Sequence, residues 1–271
     1  MKTIDLQEMQ RIELNLLLEL DKVCNKHNLK YFIDGGTLLG AMCYEGFIPW
    51  DDDIDLKMPR KDYDRLLELQ SEFPAHISLD APSKKHCEYT MLKLIDNRTV
   101  LIEKNGKIEK KTGVYLDVFP MDGHPKDEKT CEEHFRKLQR YNSLFHEALN
   151  SFINLKKSKR ITSRIKGYVY EMIYSPWKLY QKLTETAKTV DYDTADAVGL
   201  VIEGNPVKER FEKEWLEPGF TLEFEGHQVP APSGYKRHLE IFFGEHITNP
   251  EYHHNLPVIL PDHQHEVYWK E

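Results

Sequence analysis

The sequence has 271 residues, 40% hydrophobic and 11% aromatic, which allows one large or two modest domains and excludes disordered and collagen-like chains. Its formal net charge of −8 argues against a general nucleic-acid binder, which is usually basic. No apolar run approaches the ~20 residues that span a bilayer, and residues 1–8 lack the apolar core of a secretory signal, so we expect a cytoplasmic protein. The four cysteines form no CxxC motif, which favours reduced thiols.

The first half of the chain mixes helices with short strands. Apolar residues at helical spacing predict a first helix that starts after Asp5 and to which we assign only a packing role. Strict alternation of side chains predicts a strand that ends at Pro59. In chain order the predicted elements are a helix over 6–24, a strand over 30–34, a helix over 37–44, a strand over 53–58, a helix over 61–69 and strands over 91–95, 99–103 and 113–119.

The second half of the chain is predicted to be mostly helical. The predicted elements are helices over 127–155, 161–173 and about 176–190, a hairpin over 220–229 and a helix over 235–243 that ends at Gly244. We therefore expect an α+β protein with three regions. Residues 1–125 form the catalytic core, residues 126–215 a helical region, and residues 216–271 a hairpin and helix that pack back on the core.

The most informative segment is IDGGTLLGAMCYEGFIPWDDDIDLKM, residues 33–58. Gly35 and Gly36 follow the predicted strand, where glycines let the backbone approach a ligand and present N–H groups to an anion. A lone glycine pair is most often only a turn. Here, however, it is followed by four carboxylates within five residues, namely Asp51, Asp52, Asp53 and Asp55.

Two interpretations of this acidic run stay open. It is either a solvated turn or a site for a divalent cation such as Mg²⁺. Such a cation offsets the repulsion between the neighbouring carboxylates and prefers oxygen ligands. The apolar residues on both sides, and the alternation that aims Asp53 and Asp55 to one side, favour the cation site. Asp117 lies in the apolar strand at 113–119, so it either accepts backbone hydrogen bonds or completes that site. Asp51 and Asp52, the other two acids of the run, either support the metal ligands or cap the loop.

This pattern resembles the LicD family of phosphotransferases. The resemblance rests on the glycine pair, the string IPWDDDIDLKMPR and the separate strand carrying Asp117, and it extends from about residue 31 to residue 250. It implies a nucleotidyltransferase-like mixed sheet with flanking helices. The sequence departs from the family at Cys43 and Tyr44, where many members have a basic residue that could contact phosphate.

The resemblance also implies an activity. It is the Mg²⁺-dependent transfer of phosphocholine, or a related phospho-alcohol, from CDP-choline or a similar CDP-alcohol to a hydroxyl of a cell-surface glycan or teichoic acid precursor, with release of CMP. Mn²⁺ is an alternative to Mg²⁺, since oxygen-rich sites accept both. Carried over by position, Asp53, Asp55 and Asp117 are the expected metal ligands and catalytic residues, with Asp117 as the candidate base. Gly35 and Gly36 would face the pyrophosphate.

Four other residues are candidates for substrate binding: Thr37, Trp50, Lys93 and Arg98. Lys93 and Arg98 either hold phosphate oxygens or are exposed charges at strand ends. Trp50 either stacks on the base or the choline, as a cation does on an indole ring, or anchors its loop by packing.

Residues 156–178 form a basic and then aromatic segment in an otherwise acidic protein. Its six cations, with no acid among them, are Lys156, Lys157, Lys159, Arg160, Arg164 and Lys166. The segment is either a surface for anionic headgroups or a lipid-linked acceptor at the inner face of a membrane, or simply a solvated helix face.

A cluster of late histidines has no metal-binding motif such as HExxH, so we expect surface or loop positions. These are His246, His253, His254, His263 and His265. A substrate contact by His253 or His254 stays open.

Two other functions also stay open. The same fold could attack an α-phosphate and add NMP to a small molecule, releasing pyrophosphate instead of CMP. An inactive relative could serve as a binding or assembly module, although a scaffold has no reason to retain mutually repelling carboxylates.

Overall fold

The computed structural model describes residues 2–105, 108–156, 160–204, 208–216, 219–249, 251 and 264–270. The chain forms two compact units, one within residues 1–80, 92–120 and 211–271 and the other within residues 81–91 and 121–210. The α+β class predicted from the sequence is confirmed. The three-region division stays a prediction.

The helices and strands follow one another along the chain in this order. They are α1 Leu6–His27, β1 Phe32–Ile33, α2 Gly35–Tyr44, β2 Asp55–Pro59, α3 Arg60–Leu66, β3 Ile77–Asp80, β4 Leu92–Asn105, β5 Ile108–Gly123, α4 Glu128–Lys156, α5 Ile161–Ile173, α6 Pro176–Ala187, β6 Ala197–Gly199, β7 Arg210–Glu212, β8 Phe220–Phe224, β9 His227–Ala231, α7 Tyr235–Phe243 and β10 Gln264–Trp269.

The sheet of the first unit has the strand order β1-β2-β5-β4-β10, with β3 paired to the first half of β4. The pairs β1–β2, β4–β5 and β4–β10 are antiparallel. Helix α1 covers this sheet with its apolar stripe. Met9 and Ile12 pack with Leu101 of β4, Val114 of β5 and Val267 of β10 in one buried cluster. The core of this unit therefore forms between α1 and the sheet, as the helical periodicity indicates.

Helix α1 begins as the sequence predicts. The Asp5 side chain accepts a hydrogen bond from the backbone N–H of Glu8, which caps the first turn. At the other end Asn28 adopts a left-handed conformation (φ 54°). Both ends are thus determined by local chemistry.

The strands predicted at 91–95 and 99–103 are one strand, β4, with an irregularity between Asp96 and Leu101. Thr99 stabilises this bulge, because its hydroxyl donates to the Asp96 carbonyl at 2.8 Å and accepts from the Val114 N–H at 2.7 Å. Strands β3, β6, β7 and β10 were not predicted. They are short or pair with distant segments, so their local sequence carries little signal.

The strand predicted over 53–58 is shorter in the structure, and nearly all of its side chains are buried. Strand β2 runs from Asp55 to Pro59, so Asp53 precedes the ladder and the strand ends at Pro59 as predicted. Lys57, two positions after Asp55, is only 1% exposed, so β2 is covered on both sides. The alternation of polar and apolar residues arises from a buried ion pair and not from a solvent-exposed face.

The second unit is mainly helical. Residues of α4 and α6 form its core with residues 201 and 202, and the buried members are Leu138, Phe145, Ala148, Leu179, Tyr180, Leu183, Ala187, Val201 and Ile202. Pro176 is the first residue of α6, where its missing N–H costs nothing. Strand β6 pairs with the end of β5 at residues 122 and 123. Among the residues the structure describes, no helix is both long and apolar enough to cross a membrane.

Candidate active site

The aspartate loop, residues 51–55, is held at both ends by hydrogen bonds. At its start, the Asp51 N–H donates to the Ile48 carbonyl at 2.9 Å, and Gln10 Nε2 of α1 donates to the Asp51 carbonyl at 2.9 Å. At its end, the Asp55 N–H donates to Thr37 Oγ1 at 2.9 Å. Thr37, a predicted substrate-binding residue, is thus buried and positions Asp55 in this structure.

The glycine pair lies directly against the aspartates. Gly35 has φ +52°, and a Cβ built on it would stand 3.2 Å from Asp55 Oδ2. A Cβ on Gly36 would stand 2.7 Å from Asp51 Oδ2, closer than real Cβ contacts allow. These positions need glycine because the carboxylates approach the backbone here. The structure therefore brings together the two motifs that the sequence separates.

Three consecutive carboxylates make the tightest oxygen cluster of the loop. Oxygen atoms of Asp51, Asp52 and Asp53 lie within 4.8 Å of one another. The predicted triad of Asp53, Asp55 and Asp117 is not among the groups of such spacing in the described part of the chain. Asp117 nevertheless adjoins the loop, since its N–H donates to the Ile54 carbonyl at 2.9 Å.

The electrostatics of the loop favour bound protons or a cation. Burial, together with the charges of Asp53 and Asp52, raises the pKa of Asp51 to about 7. Burial and the neighbouring Asp52 and Asp117 raise the pKa of Asp53 to about 6. Burial and the surrounding aspartates also raise the pKa of Asp55 well above its ordinary value. These raised pKa values reflect carboxylates that are largely removed from water and that also repel one another.

This donor set fits a hard divalent cation. All the groups are carboxylates, the ligands that Mg²⁺ and Mn²⁺ prefer. Asp51 Oδ2 is buried and has no hydrogen-bond partner among the described residues. A buried carboxylate oxygen without a donor is costly unless a cation or a proton satisfies it. The carboxylates of the aspartate loop and of Asp117 are thus the groups that could hold a metal ion.

Glu13 of α1 is a further acid at this site, and we assigned the helix no chemistry from the sequence. It is fully buried, and neither carboxylate oxygen has a hydrogen-bond partner in the described structure. Burial, followed by the charges of Asp53, Asp52 and the other acids nearby, raises its pKa well above the ordinary value. The sequence did carry a signal, because Glu13 stands on the apolar stripe between Met9 and Leu17.

His265 of β10 also reaches the aspartate loop. Its Nδ1 lies 2.9 Å from Asp52 Oδ2, and its Nε2 lies 3.9 Å from Glu103 Oε1. The expectation of a surface or loop position is wrong for this histidine, which is only 10% exposed in a paired strand. His246 is exposed as expected, whereas His253, His254 and His263 lie outside the described residues.

Lys93 and Arg98, the two predicted phosphate contacts, both have carboxylate partners. Lys93 Nζ lies 2.8 and 3.0 Å from the two oxygens of Asp117. The Arg98 guanidinium binds both oxygens of Asp96 at the β4 bulge. The structure therefore places Lys93 at the candidate site, while the contacts of Arg98 are with Asp96. Trp50 is half-buried in the turn that precedes Asp51.

A buried ion network fixes the backbone before the glycine pair. Asp34 precedes Gly35, and its carboxylate lies 2.6 Å from Lys57 Nζ and 3.2 Å from His238 Nε2. Burial opposes ionisation, but Lys57 and His238 hold the pKa of Asp34 below its ordinary value. Because this carboxylate serves the network, it makes no capping hydrogen bond to α2. The Asp34 side chain therefore does not satisfy the first N–H groups of α2.

The β8–β9 hairpin supports the segment that leads to the loop. The Glu225 N–H donates to the Glu45 carbonyl at 2.8 Å, and Glu225 Oε1 accepts from the Phe47 N–H at 3.0 Å. The Phe47 and Phe224 rings pack with centroids 4.9 Å apart. The hairpin predicted to turn near Gly226 is confirmed, with Glu225 and Gly226 at positive φ.

Comparison with known proteins identifies a family model and several curated proteins that are similar to this chain. Residues 28–156 match the family model described as "LicD/FKTN/FKRP, nucleotidyltransferase domain". The lipopolysaccharide cholinephosphotransferase LicD of Haemophilus influenzae is 29% identical over 258 residues, which is 92% of this chain and 94% of that protein.

Two other relatives match over shorter segments. An uncharacterized protein of Rickettsia prowazekii is 29% identical over 41% of this chain and 39% of its own length. The mannosyltransferase regulator 4 of Saccharomyces cerevisiae is 32% identical over 42% of this chain and 10% of its own length. The match to the family model covers the glycine pair, the aspartate loop and Asp117, and the similarity to LicD extends over nearly the whole chain.

Proposed function

We propose that this protein is a transferase that moves phosphocholine, or a related phospho-alcohol, from a CDP-alcohol to a hydroxyl of a lipopolysaccharide or teichoic acid glycan precursor. The observation that carries the proposal is the similarity to the Haemophilus cholinephosphotransferase over 92% of the chain. The contact of the glycine pair with the aspartate loop supports it, since a pyrophosphate donor needs both N–H donors and charge neutralisation.

The N-terminus of α2 is the proposed site for the donor pyrophosphate. Its first N–H groups, at Gly35 and Gly36, receive no capping side chain from Asp34. The positive end of a helix dipole favours an anion at this place.

The carboxylates of Asp53, Asp55 and Asp117 would hold Mg²⁺, or Mn²⁺ in its place, with Asp51 adjacent. When bound there, the ion neutralises charge on the donor phosphates and so stabilises the crowded transition state. The four aspartates thus contribute by concentrating negative charge where the protein offers few cations of its own. Lys93 Nζ, 2.8 Å from an oxygen of Asp117, is one cation beside them.

Asp117 is the proposed acceptor of the proton from the attacking hydroxyl. As that oxygen bonds to the phosphorus next to the choline, the bond from this phosphorus to the bridging oxygen breaks and CMP leaves with the bonding electrons. Lys93 keeps Asp117 available for this step, because an ammonium group at 2.8 Å favours the ionised carboxylate. The transfer requires no covalent intermediate on the protein.

Product analysis tests this proposal against nucleotide transfer. Incubation with CDP-choline, Mg²⁺ and a lipopolysaccharide acceptor should release CMP in an amount equal to the phosphocholine incorporated. Incubation with CTP and phosphocholine should release no pyrophosphate. Pyrophosphate release without CMP would establish a nucleotidyltransferase and overturn the proposal.

The alcohol that is carried can be identified by ligand-induced stabilisation. Thermal unfolding with CDP-choline, CDP-ribitol, CDP-glycerol, CMP and CDP, each with and without Mg²⁺, should give the largest shift for the true donor. A shift equal for CDP and for every CDP-alcohol would mean that the site recognises only the nucleotide. No shift with any of them would favour a scaffold.

A further inference from the structure

Helix α5 carries an apolar stripe that the described part of the chain leaves exposed. Of the nine large hydrophobic side chains that are exposed among the described residues, seven lie between positions 161 and 174. Ile161 and Met172 are 72% and 75% exposed, and Ile165 is 57% exposed. Apolar side chains concentrated in this way mark an interaction surface, whereas single exposed ones are ordinary.

The stripe runs along one side of the helix. Positions 161, 165, 169 and 172 are three or four residues apart, so their side chains lie next to each other. On the opposite side Gly167 is buried, and α5 packs against α4. A helix that contributes to a core turns its apolar side inward. Helix α5 instead turns it toward solvent.

Two exposed cations border the stripe. Arg164 and Lys166 lie one position before and one after Ile165, and successive helix positions are about 100° apart, so they flank it on opposite sides. The helix has no acid before Glu171, although the whole chain has a net charge of −8. An apolar stripe bordered by cations fits an acidic lipid bilayer, whose interior is apolar and whose headgroup region is anionic.

We propose that α5 docks this protein on an anionic lipid bilayer. Ile161, Ile165 and Met172 enter the boundary between headgroups and acyl chains, and Arg164 and Lys166 contact the lipid phosphates. A second copy of the chain is a poorer occupant, because a symmetric contact would bring these cations close to their own equivalents. The proposal goes beyond the transfer reaction and concerns the surface on which the protein works.

Vesicle sedimentation tests this docking with the full chain and without donor or acceptor. The protein should sediment with phosphatidylglycerol–phosphatidylcholine vesicles, less with vesicles of phosphatidylcholine alone, and less as salt is raised. The double substitution Ile165→Ser/Met172→Ser should lower the apparent partition coefficient by about tenfold or more. Arg164→Gln/Lys166→Gln should lower it by roughly tenfold on anionic vesicles only.

Matched variants distinguish a contribution of α5 from a general loss of exposed apolar or cationic side chains. Leu67→Ser removes an exposed hydrophobic side chain elsewhere, and Lys137→Gln/Arg140→Gln removes two exposed cations of α4, so neither should reduce binding by more than about twofold. The substituted α5 residues are exposed, so the melting temperature should stay close to that of the wild type, which a thermal scan checks.

Three outcomes would overturn the proposal. They are a wild type that does not sediment with anionic vesicles at low salt, α5 variants that bind as the wild type does, and a dimer in sedimentation velocity that Ile165→Ser/Met172→Ser dissociates. Because the assay contains neither donor nor acceptor, its failure is distinct from failure of the proposed transfer. Activity on a delipidated acceptor should be unchanged in both α5 variants.

Discussion

Lys93 and Asp117 lie directly opposite each other on strands β4 and β5, with Lys93 Nζ 2.8 Å from one carboxylate oxygen of Asp117 and 3.0 Å from the other. The same ammonium group lies 3.4 Å from the centroid of the Tyr115 ring, which fixes it from the other side. Burial raises the pKa of Asp117, and Lys93 opposes that rise. The pair therefore favours the ionised form of a partly buried carboxylate beside the aspartate loop.

Removal of the Lys93 cation should shift the pH dependence of transfer. In Lys93→Gln the pKa of Asp117 rises further, so the ionised base is present only at higher pH. We expect the acidic limb of kcat against pH to move to higher pH and kcat at neutral pH to fall by about tenfold or more. Lys93→Arg should restore much of the activity. An unchanged acidic limb in Lys93→Gln would show that Asp117 is not the titrating base.

Loss of either central aspartate should abolish transfer. Asp53→Asn and Asp55→Asn keep the shape of the side chain but remove the charge that holds the metal ion, so we expect kcat to fall by about 10²-fold or more. The control Asp64→Asn, at a half-buried carboxylate paired with Arg60 on α3, should leave turnover unchanged. The measurement is CMP release at saturating Mg²⁺. Near-normal turnover in either loop variant would remove that residue from the metal site.

A methyl group on Gly36 should interfere with the site and leave the fold intact. The Cβ of Gly36→Ala would stand 2.7 Å from Asp51 Oδ2, so the carboxylate must move away from the backbone. We expect the Mg²⁺- and donor-dependent increase in melting temperature to shrink by about half or more, since ligand stabilisation follows affinity. Gly219→Ala is the control, because a Cβ there has no neighbour within 4 Å. Equal shifts in both variants would contradict this account.

The buried carboxyl group of Glu13 should lower the stability of the protein when no divalent cation is bound. Glu13→Gln keeps the size of a buried side chain without the need to bind a proton or bury a charge. We therefore expect the free energy of unfolding at neutral pH to rise by about 1–3 kcal/mol. Glu19→Gln, which breaks the ion pair with Lys22 on the same helix, should change stability by less than about 1 kcal/mol. Chemical denaturation in EDTA measures both, and a destabilised Glu13→Gln would indicate an ionised, functionally bound Glu13.

The raised pKa of Asp51 predicts the sign of a pH effect on stability. Its pKa is about 7 in the folded state and 3.8 in a model peptide, so the native state holds more protons between these values. Stability from this group is thus present below about pH 4 and is lost as pH rises through about 7. Buried His124, whose pKa is lowered to about 4, changes stability with pH in the opposite direction. The pH dependence of the wild type alone therefore does not isolate the contribution of Asp51.

The comparison with Asp51→Asn isolates this effect. Without divalent cations the variant should be as stable as the wild type near pH 4 and increasingly more stable toward pH 7.5, because only the wild type must release a proton. Saturating Mg²⁺ should reduce this difference, since the cation stabilises the charged carboxylates. Thermal unfolding across this range measures both. A stability difference that does not vary with pH would contradict the raised pKa.

Local patterns in the sequence were sufficient for several elements. The apolar stripe and the Asp5 cap predicted α1, and residues 220–229 predicted the β8–β9 hairpin, because such elements depend on neighbours within a few positions. The alternation at 53–58 predicted strand β2, but it did not reveal that Lys57 is buried with Asp34. Period-two patterns do not distinguish an exposed polar face from a buried ion pair.

The candidate site also has parts that the sequence predicts and parts that only the structure reveals. The glycine pair and the run of aspartates are each contiguous in the chain, so the sequence by itself determined that a run of carboxylates follows a glycine pair. Only the tertiary structure decided that Glu13, His265 and Lys93 join it. These residues come from α1, β10 and β4, and their proximity follows from strand register and helix packing across long separations in the chain. No local sequence pattern encodes such distances.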